Sequence, residues 1–254
     1  NFKQNNLTFS GSGKIKIDKD FEEIDYFIEN VNLAKIREAF YLYEKLYPFS
    51  SQLKIKKAQT LLYFDKASDA YKILKEVPSV NDEEYLFTLA TIYSKLDKNK
   101  KAISIFEELL NLNNNNEEIL SNLANEYQKI DNYSKSADML ERLLLLNKYN
   151  EINWYSYIIT CEISNNSNRS LSFIKNYIKS KPYDHEAWFY LGIIYQRLDN
   201  HLDAIESFDY SICIKEDYIN AYTNKAESLS ELGYYQKAID CCKETLKYED
   251  PDAI

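Results

Sequence analysis

Five columns of this 254-residue chain repeat at a constant interval of 34. Ala90, Ala124, Ile158, Gly192 and Ala226 form one, and Tyr93, Tyr127, Cys161, Tyr195 and Leu229 form a second. Leu86, Leu120, Trp154, Trp188 and Tyr222 make a third, and Phe106, Leu140, Ile174, Phe208 and Cys242 a fourth. Ala102, Ser136, Ser170, Ala204 and Ala238, nearly all small, complete the set. A chain that keeps its size classes at a fixed period is one supersecondary unit stacked many times. Inside a unit, Trp188, Leu191, Gly192 and Tyr195 fall at i, i+3, i+4 and i+7, one face of a helix. The polar turn Leu198-Asp199-Asn200 follows, then a second amphipathic helix carrying Ala204, Phe208 and Ile212. Gly192 and Ala204 are small where two helices must approach closely.

Composition points the same way. Only 4 Gly and 4 Pro occur in the whole chain, too few for the hairpins, bulges and phosphate loops of sandwiches, barrels or Rossmann-type folds. Pro182 stands just before a new unit, where a helix cannot continue through it. The run Ala187-Trp188-x2-Leu191-Gly192-x2-Tyr195, then Ala204 and Phe208, resembles the tetratricopeptide repeat (TPR) signature of a helix–turn–helix unit. Two weaker units precede the regular block, one with Ala58, Leu61, Ala70 and Leu74, the other with Phe27, Ala39 and Tyr43. The expected fold is therefore all-α, a right-handed α-solenoid of stacked antiparallel helix pairs. About seven repeats are expected, at 20–50, 51–82, 83–116, 117–150, 151–184, 185–218 and 219–252, within a domain spanning 14–254. Pro251-Asp252-Ala253-Ile254 echoes the run that opens an earlier unit at Pro182, as though a further or capping helix were beginning.

A net charge of −9 argues against a general nucleic-acid or anionic-membrane binder, since both need a basic face. No stretch reaches the roughly 18 apolar residues of a membrane span. Cys161, Cys213, Cys241 and Cys242 show no disulfide or metal spacing and fit a reduced, cytoplasmic compartment. His185 and His201, the two histidines, read as surface residues. Neither a nucleophile elbow, a metal motif nor a phosphate loop occurs. The expectation is no enzyme, no metal and no cofactor.

The resemblance to TPR proteins implies that the first helix of each pair lines an inner groove. At 100° per residue, the side of each first helix opposite its core face carries Phe87 and Lys95 in the third unit and Asn122, Asn125 and Lys129 in the fourth. Tyr155 and Ile159 follow in the fifth, then Phe189, Tyr190, Ile193 and Arg197 in the sixth. Tyr155, Ile159, Phe189, Tyr190 and Ile193 form a semi-apolar patch that a monomer would not ordinarily expose. An asparagine offers both donor and acceptor to a peptide unit, and the resemblance implies that Asn122 and Asn125 hold ligand backbone. Lys95, Lys129 and Arg197 are expected to receive acidic groups, while Glu227 and Glu231 make the far end negative. The basic clamp of the chaperone-tail-binding members is not reproduced, since Gln59 and Thr88, or Asn125 and Ser156, stand at the equivalent positions.

Residues 1–13 obey none of this periodicity. Their Ser10-Gly11-Ser12-Gly13 stretch has linker composition, and two readings stand: a flexible arm, or a fused peptide whose Phe2, Leu7 and Phe9 anchor it in the groove in cis. The functional expectation is an interaction scaffold or adaptor that binds an extended peptide of a partner protein. A substrate-recruiting arm of a larger enzyme, such as a glycosyltransferase, is the alternative, and a scaffold or homo-oligomer using the convex face is the third reading.

Overall fold

The computed structural model describes residues 21–78 and 82–249; the N-terminal segment with Phe2, Leu7 and Phe9 lies outside the described residues. Those residues are helical throughout, with no strand among them. They divide into two compact units, with the boundary along the chain between Leu112 and Asn113. The N-terminal unit holds α1 (Glu22–Glu29), α2 (Leu33–Leu46), α3 (Ser51–Tyr63), α4 (Ala67–Lys75), α5 (Glu83–Lys95) and α6 (Asn99–Leu112). The C-terminal unit holds α7 (Glu117–Lys129), α8 (Tyr133–Leu146), α9 (Glu151–Ile163), α10 (Ser167–Ser180), α11 (His185–Arg197), α12 (His201–Ile214), α13 (Ile219–Glu231) and α14 (Tyr235–Glu249). In each unit, helices pack against their neighbours in chain order as stacked antiparallel pairs. The fourteen described helices make the seven pairs expected.

The ends of the helices explain why the lengths are so regular. Asp65, Asp97, Asp131, Asn165 and Asp199, at the turn inside successive pairs, have φ between 53° and 57°, and Gly233 follows at 77°. Asp, Asn and Gly are the residues that enter this left-handed region most readily. Each turn is closed by a backbone bond reaching five residues back, as in Lys98 N–H to Tyr93 O (2.9 Å), Asn132 to Tyr127 (2.8 Å) and Asn200 to Tyr195 (2.9 Å). This is the Schellman closure of a helix C-terminus. At the other turn, between pairs, Ser50, Asp82, Asn116 and Asn150 accept a hydrogen bond from the first turn of the following helix, the N-cap role these side chains favour. The asparagine run 113–116 thus ends in a cap. Stopped and started by periodic residues, the first helices α3, α5, α7, α9, α11 and α13 are each 13 residues long.

The repeated columns form the core. Ala90, Ala124, Ile158 and Ala226 are buried with Phe106, Leu140, Ile174 and Phe208. Gly192 presents its bare Cα to the Phe208 ring, and an added Cβ would lie 2.4 Å from it. The two tryptophans, one period apart, each donate the indole N–H to the carbonyl six residues upstream: Trp154 to Lys148 and Trp188 to Pro182, both at 2.8 Å. The loop between pairs thereby satisfies the polar edge of a side chain whose body is packed. Arg169 on α10 ties the layers together, donating to Glu141 (2.8 Å) and Asp138 (2.5 Å) on α8, while the Tyr157 hydroxyl on α9 donates to the same Glu141 (2.6 Å).

Asp184, the N-cap residue of α11, is 6% exposed at its side chain and accepts from Lys148 (2.6 Å) and Tyr177 (3.1 Å). Burial alone would raise its pKa; the Lys148 ammonium, the Tyr177 hydroxyl and the Ala187 N–H outweigh burial and hold the carboxyl below its ordinary value. A depressed carboxyl stabilises the fold above its unfolded pKa, and that contribution is lost as pH falls through the folded value. Asp184→Asn is therefore expected to cost about 1–2 kcal/mol at neutral pH. The gap to the parent protein should begin to narrow as pH falls below the ordinary aspartate value and go on narrowing on further acidification. Urea midpoints across this pH range check this, and a gap that persists would assign the effect to shape rather than charge.

Candidate peptide-binding face

The first helices of the C-terminal unit form one layer, tied side to side by polar contacts. Gln128 on α7 donates to Thr160 on α9 (2.8 Å), Arg197 on α11 to Glu162 on α9 (2.6 Å), and Gln196 on α11 to Ser228 and the Asn224 carbonyl on α13 (2.9 Å each). Steps of 34 residues give each helix of this layer a corresponding stripe at i, i+4, i+7 and i+11. The stripe is Glu118, Asn122, Asn125, Lys129 on α7 and Ile152, Ser156, Ile159, Ile163 on α9. It continues as Glu186, Tyr190, Ile193, Arg197 on α11 and Asn220, Asn224, Glu227, Glu231 on α13. The α9 stripe is the unusual one. Ile152, Ile159 and Ile163 are 75%, 39% and 53% exposed, and half-buried Tyr155 lies beside them.

Several expected site residues belong to this face, and others do not. Asn125 is exposed and Asn122 half-buried. The Asn122 amide donates to the Glu118 carbonyl of its own helix (2.9 Å), and one N–H and its oxygen remain for other partners. Phe189, Tyr190 and Ile193 are buried, at 1%, 3% and 5% exposure, which corrects the expectation of an exposed patch there. Other rings cover the two aromatics: Tyr190 stacks on Trp154 of α9 (4.7 Å, 17°), and Phe189 meets Tyr218 (5.3 Å) and, within its own pair, Phe208 (5.8 Å). Phe87, in the N-terminal unit, turns its ring edge-on to Phe106 (5.7 Å). All three expected cations are committed within the chain: Lys95 to Asp65 (3.2 Å), Lys129 to Glu126 (2.6 Å) and Arg197 to Glu162 (2.6 Å).

Comparison with known proteins agrees with this architecture. A family model described as Psidin, N-terminal TPR repeats region, matches residues 27–246. The chain belongs to that family. Among curated proteins it is 33% identical over 92 residues to the TPR repeat-containing protein MJ0263 of Methanocaldococcus jannaschii; the match covers 34% of this chain and 29% of that protein. A tetratricopeptide repeat protein from Parabacteroides merdae is similar in structure, with 17% identity, 90% of each chain covered and a TM-score of 0.50. So is the Naa15/Naa10 assembly bound to HypK-THB, with 17% identity, 91% of this chain and 36% of that chain covered, and a TM-score of 0.51. At such identities the likeness is one of fold.

In this member of the Psidin TPR family the four stripes carry carboxylates, amides and aliphatic side chains, and no histidine or cysteine. Among the described residues no three His, Cys, Asp or Glu side chains gather where a metal ion could be held, and no helix is long and apolar enough to cross a membrane. Burial pushes the Cys161 thiol up to about 11, which keeps it from acting as a nucleophile near neutral pH. Tyr155 titrates above its usual range because of burial and the Glu151 carboxylate, partly offset by Arg197. The feature that helix-face reasoning missed is Ile152. It begins the exposed stripe one helical turn ahead of Ser156, and its place could have been found by stepping 34 from Glu118.

Proposed function

We propose that this chain is a protein-interaction scaffold whose C-terminal unit binds an extended segment of a partner protein along the first-helix layer. The exposed α9 stripe of Ile152, Ile159 and Ile163 carries the reading, because an aliphatic row on a helix of a folded unit costs solubility unless something covers it. Beside it, Asn122 and Asn125 supply paired donors and acceptors for a ligand backbone, the arrangement that extended-peptide recognition uses alongside apolar pockets. Family membership supports an interaction role in general terms.

The test is selection of displayed random peptides on the full chain, then titration of the best binder. Asn125→Ala and Ile159→Asp are each expected to weaken it at least about ten-fold, or 1.4 kcal/mol. Leu145→Asp, at an exposed position on α8 of the second-helix layer, should leave affinity unchanged. The opposite pattern would move binding to the other layer. The N-terminal 13 residues are a second occupant within the same reading, and deleting them is expected to raise the affinity of the added peptide.

A further inference from the structure

The charge on this face has the sign opposite to the one its lysines and arginine first imply. Lys129 and Arg197 are spent on Glu126 and Glu162. Glu118, Glu151, Glu186, Glu227 and Glu231 stand on or beside the four stripes with no ion pair in the described chain. Five unpaired carboxylates against two neutralised cations leave a negative potential along the layer. Such a field draws in cationic segments and penalises acidic ones.

One end of the face is more than an acidic surface. Glu151 is the first residue of α9 and Glu186 the second of α11, and one carboxylate oxygen of Glu186, Oε2, is buried with no partner. One turn along α11 from Glu186 stands Tyr190, 3% exposed, whose hydroxyl has no hydrogen-bond partner in the described chain. Its ring is fixed by Trp154 behind it, by Tyr155 at 6.0 Å and by Phe189 at 5.2 Å, and Phe189 in turn holds Tyr218 at 5.3 Å. The Tyr190 hydroxyl feels Tyr218, Glu151, Glu186 and Tyr155, in that order after burial itself. Tyr155, Tyr190 and Tyr218 thus belong to one ring cluster toward the N-terminal ends of α9, α11 and α13, where Glu151 and Glu186 also stand. Two cations come near: Lys148, bound to Asp184, and Lys215, which sits over the Tyr218 ring at 5.6 Å; both pull the Glu186 pKa down, but burial and Asp184 outweigh them and leave it raised.

We propose that the segment bound on this face is basic, and that one of its Lys or Arg side chains lodges among Glu151, Glu186, Tyr155, Tyr190 and Tyr218. The carboxylates supply counter-charge to a donor head group, and the phenol oxygens accept its remaining N–H bonds. The aliphatic stem or neighbouring residue of the segment then covers the isoleucine stripe. This inference rests on the α9 face being the binding surface.

The test uses three labelled peptides on the full-length chain, alternating isoleucine with lysine, glutamine or glutamate. The lysine peptide is expected to bind at least ten-fold more tightly than the glutamine peptide, and the glutamate peptide more weakly than either. In the Glu151→Gln/Glu186→Gln double variant, checked for an unchanged melting temperature, the lysine and glutamine peptides should bind alike. Raising salt should erase the same difference in the parent protein. Lysine and glutamine peptides binding equally to the parent would overturn the inference while leaving the face intact as a binding surface, provided Ile159→Asp weakens both. A lysine preference that survives the double variant would equally overturn the assigned site. If no peptide binds, or Ile159→Asp changes nothing, the underlying reading fails with it.

Discussion

Replacing Trp154 by alanine is expected to cost about 3–5 kcal/mol, the range for removing a large aromatic side chain from a packed core. The residue is 2% exposed and touches four aromatic side chains or loops at once. It stacks on Tyr190, meets Tyr177 edge-on at 6.4 Å and Phe173 at 6.1 Å, and donates its N–H to Lys148 O. Alanine leaves a cavity bounded by rings from α10 and α11, which cannot all collapse inward because each has other partners. Trp154→Phe separates the contributions: it keeps most of the packing and loses one hydrogen bond, about 1 kcal/mol. Trp188, half-buried and stacked on Tyr210 at 4.4 Å, makes the same indole bond with less enclosure, so Trp188→Ala should cost distinctly less. Urea denaturation of the three variants gives the ranking. A Trp154→Ala penalty below about 1 kcal/mol would mean that the aromatic stack does not hold the pairs together.

The same stack explains what could and could not be read from the sequence. The period of 34, the two helices per unit and the small positions at Gly192 and Ala204 follow from size and spacing along one chain, because each repeat's interior obeys the same rule. The turn signal is equally present in Asp97, Asp131, Asn165 and Asp199, which share a left-handed backbone, because Asp and Asn tolerate that region as glycine does. The candidate face was harder. Helix-face geometry treats each helix as if alone, so it ranks Tyr155 and Tyr190 as alike. In the folded unit Tyr190 is covered by Trp154 from one pair and Phe189 beside it, while Ile159, on the neighbouring first helix α9, stays open. Long cations were harder still. Arg197 finds Glu162 and Lys148 finds Asp184 across 35 and 36 residues, and nothing in local pattern distinguishes a paired lysine from one awaiting a ligand. That is why the sign of the face reversed.

Gly192→Ala should be the most damaging single-methyl insertion in the chain, at about 3 kcal/mol, the upper end of overpacking penalties. Its Cβ would fall 2.4 Å from Cε1 of Phe208 and 2.7 Å from two further ring carbons. Phe208 is itself fully buried and backed by Phe189 at 5.8 Å, so the ring cannot swing clear as a flexible side chain would. Backbone conformation is not the cause, since Gly192 sits in the middle of α11, where alanine would otherwise be favoured by up to about 1 kcal/mol. The steric account makes a sharper demand than loss of stability alone. Phe208→Leu removes ring atoms at the point of collision, so the double variant should be more stable than the sum of the two single changes predicts. The expected coupling is at least about 1 kcal/mol, within the range found for residues in direct contact. Purely additive losses would place the strain elsewhere, and then the close approach of α11 and α12 would need another cause. Gly233 is the control: it has open space around its Cα but a φ of 77°, so Gly233→Asn should be nearly neutral, as the asparagine at position 165 already tolerates that turn.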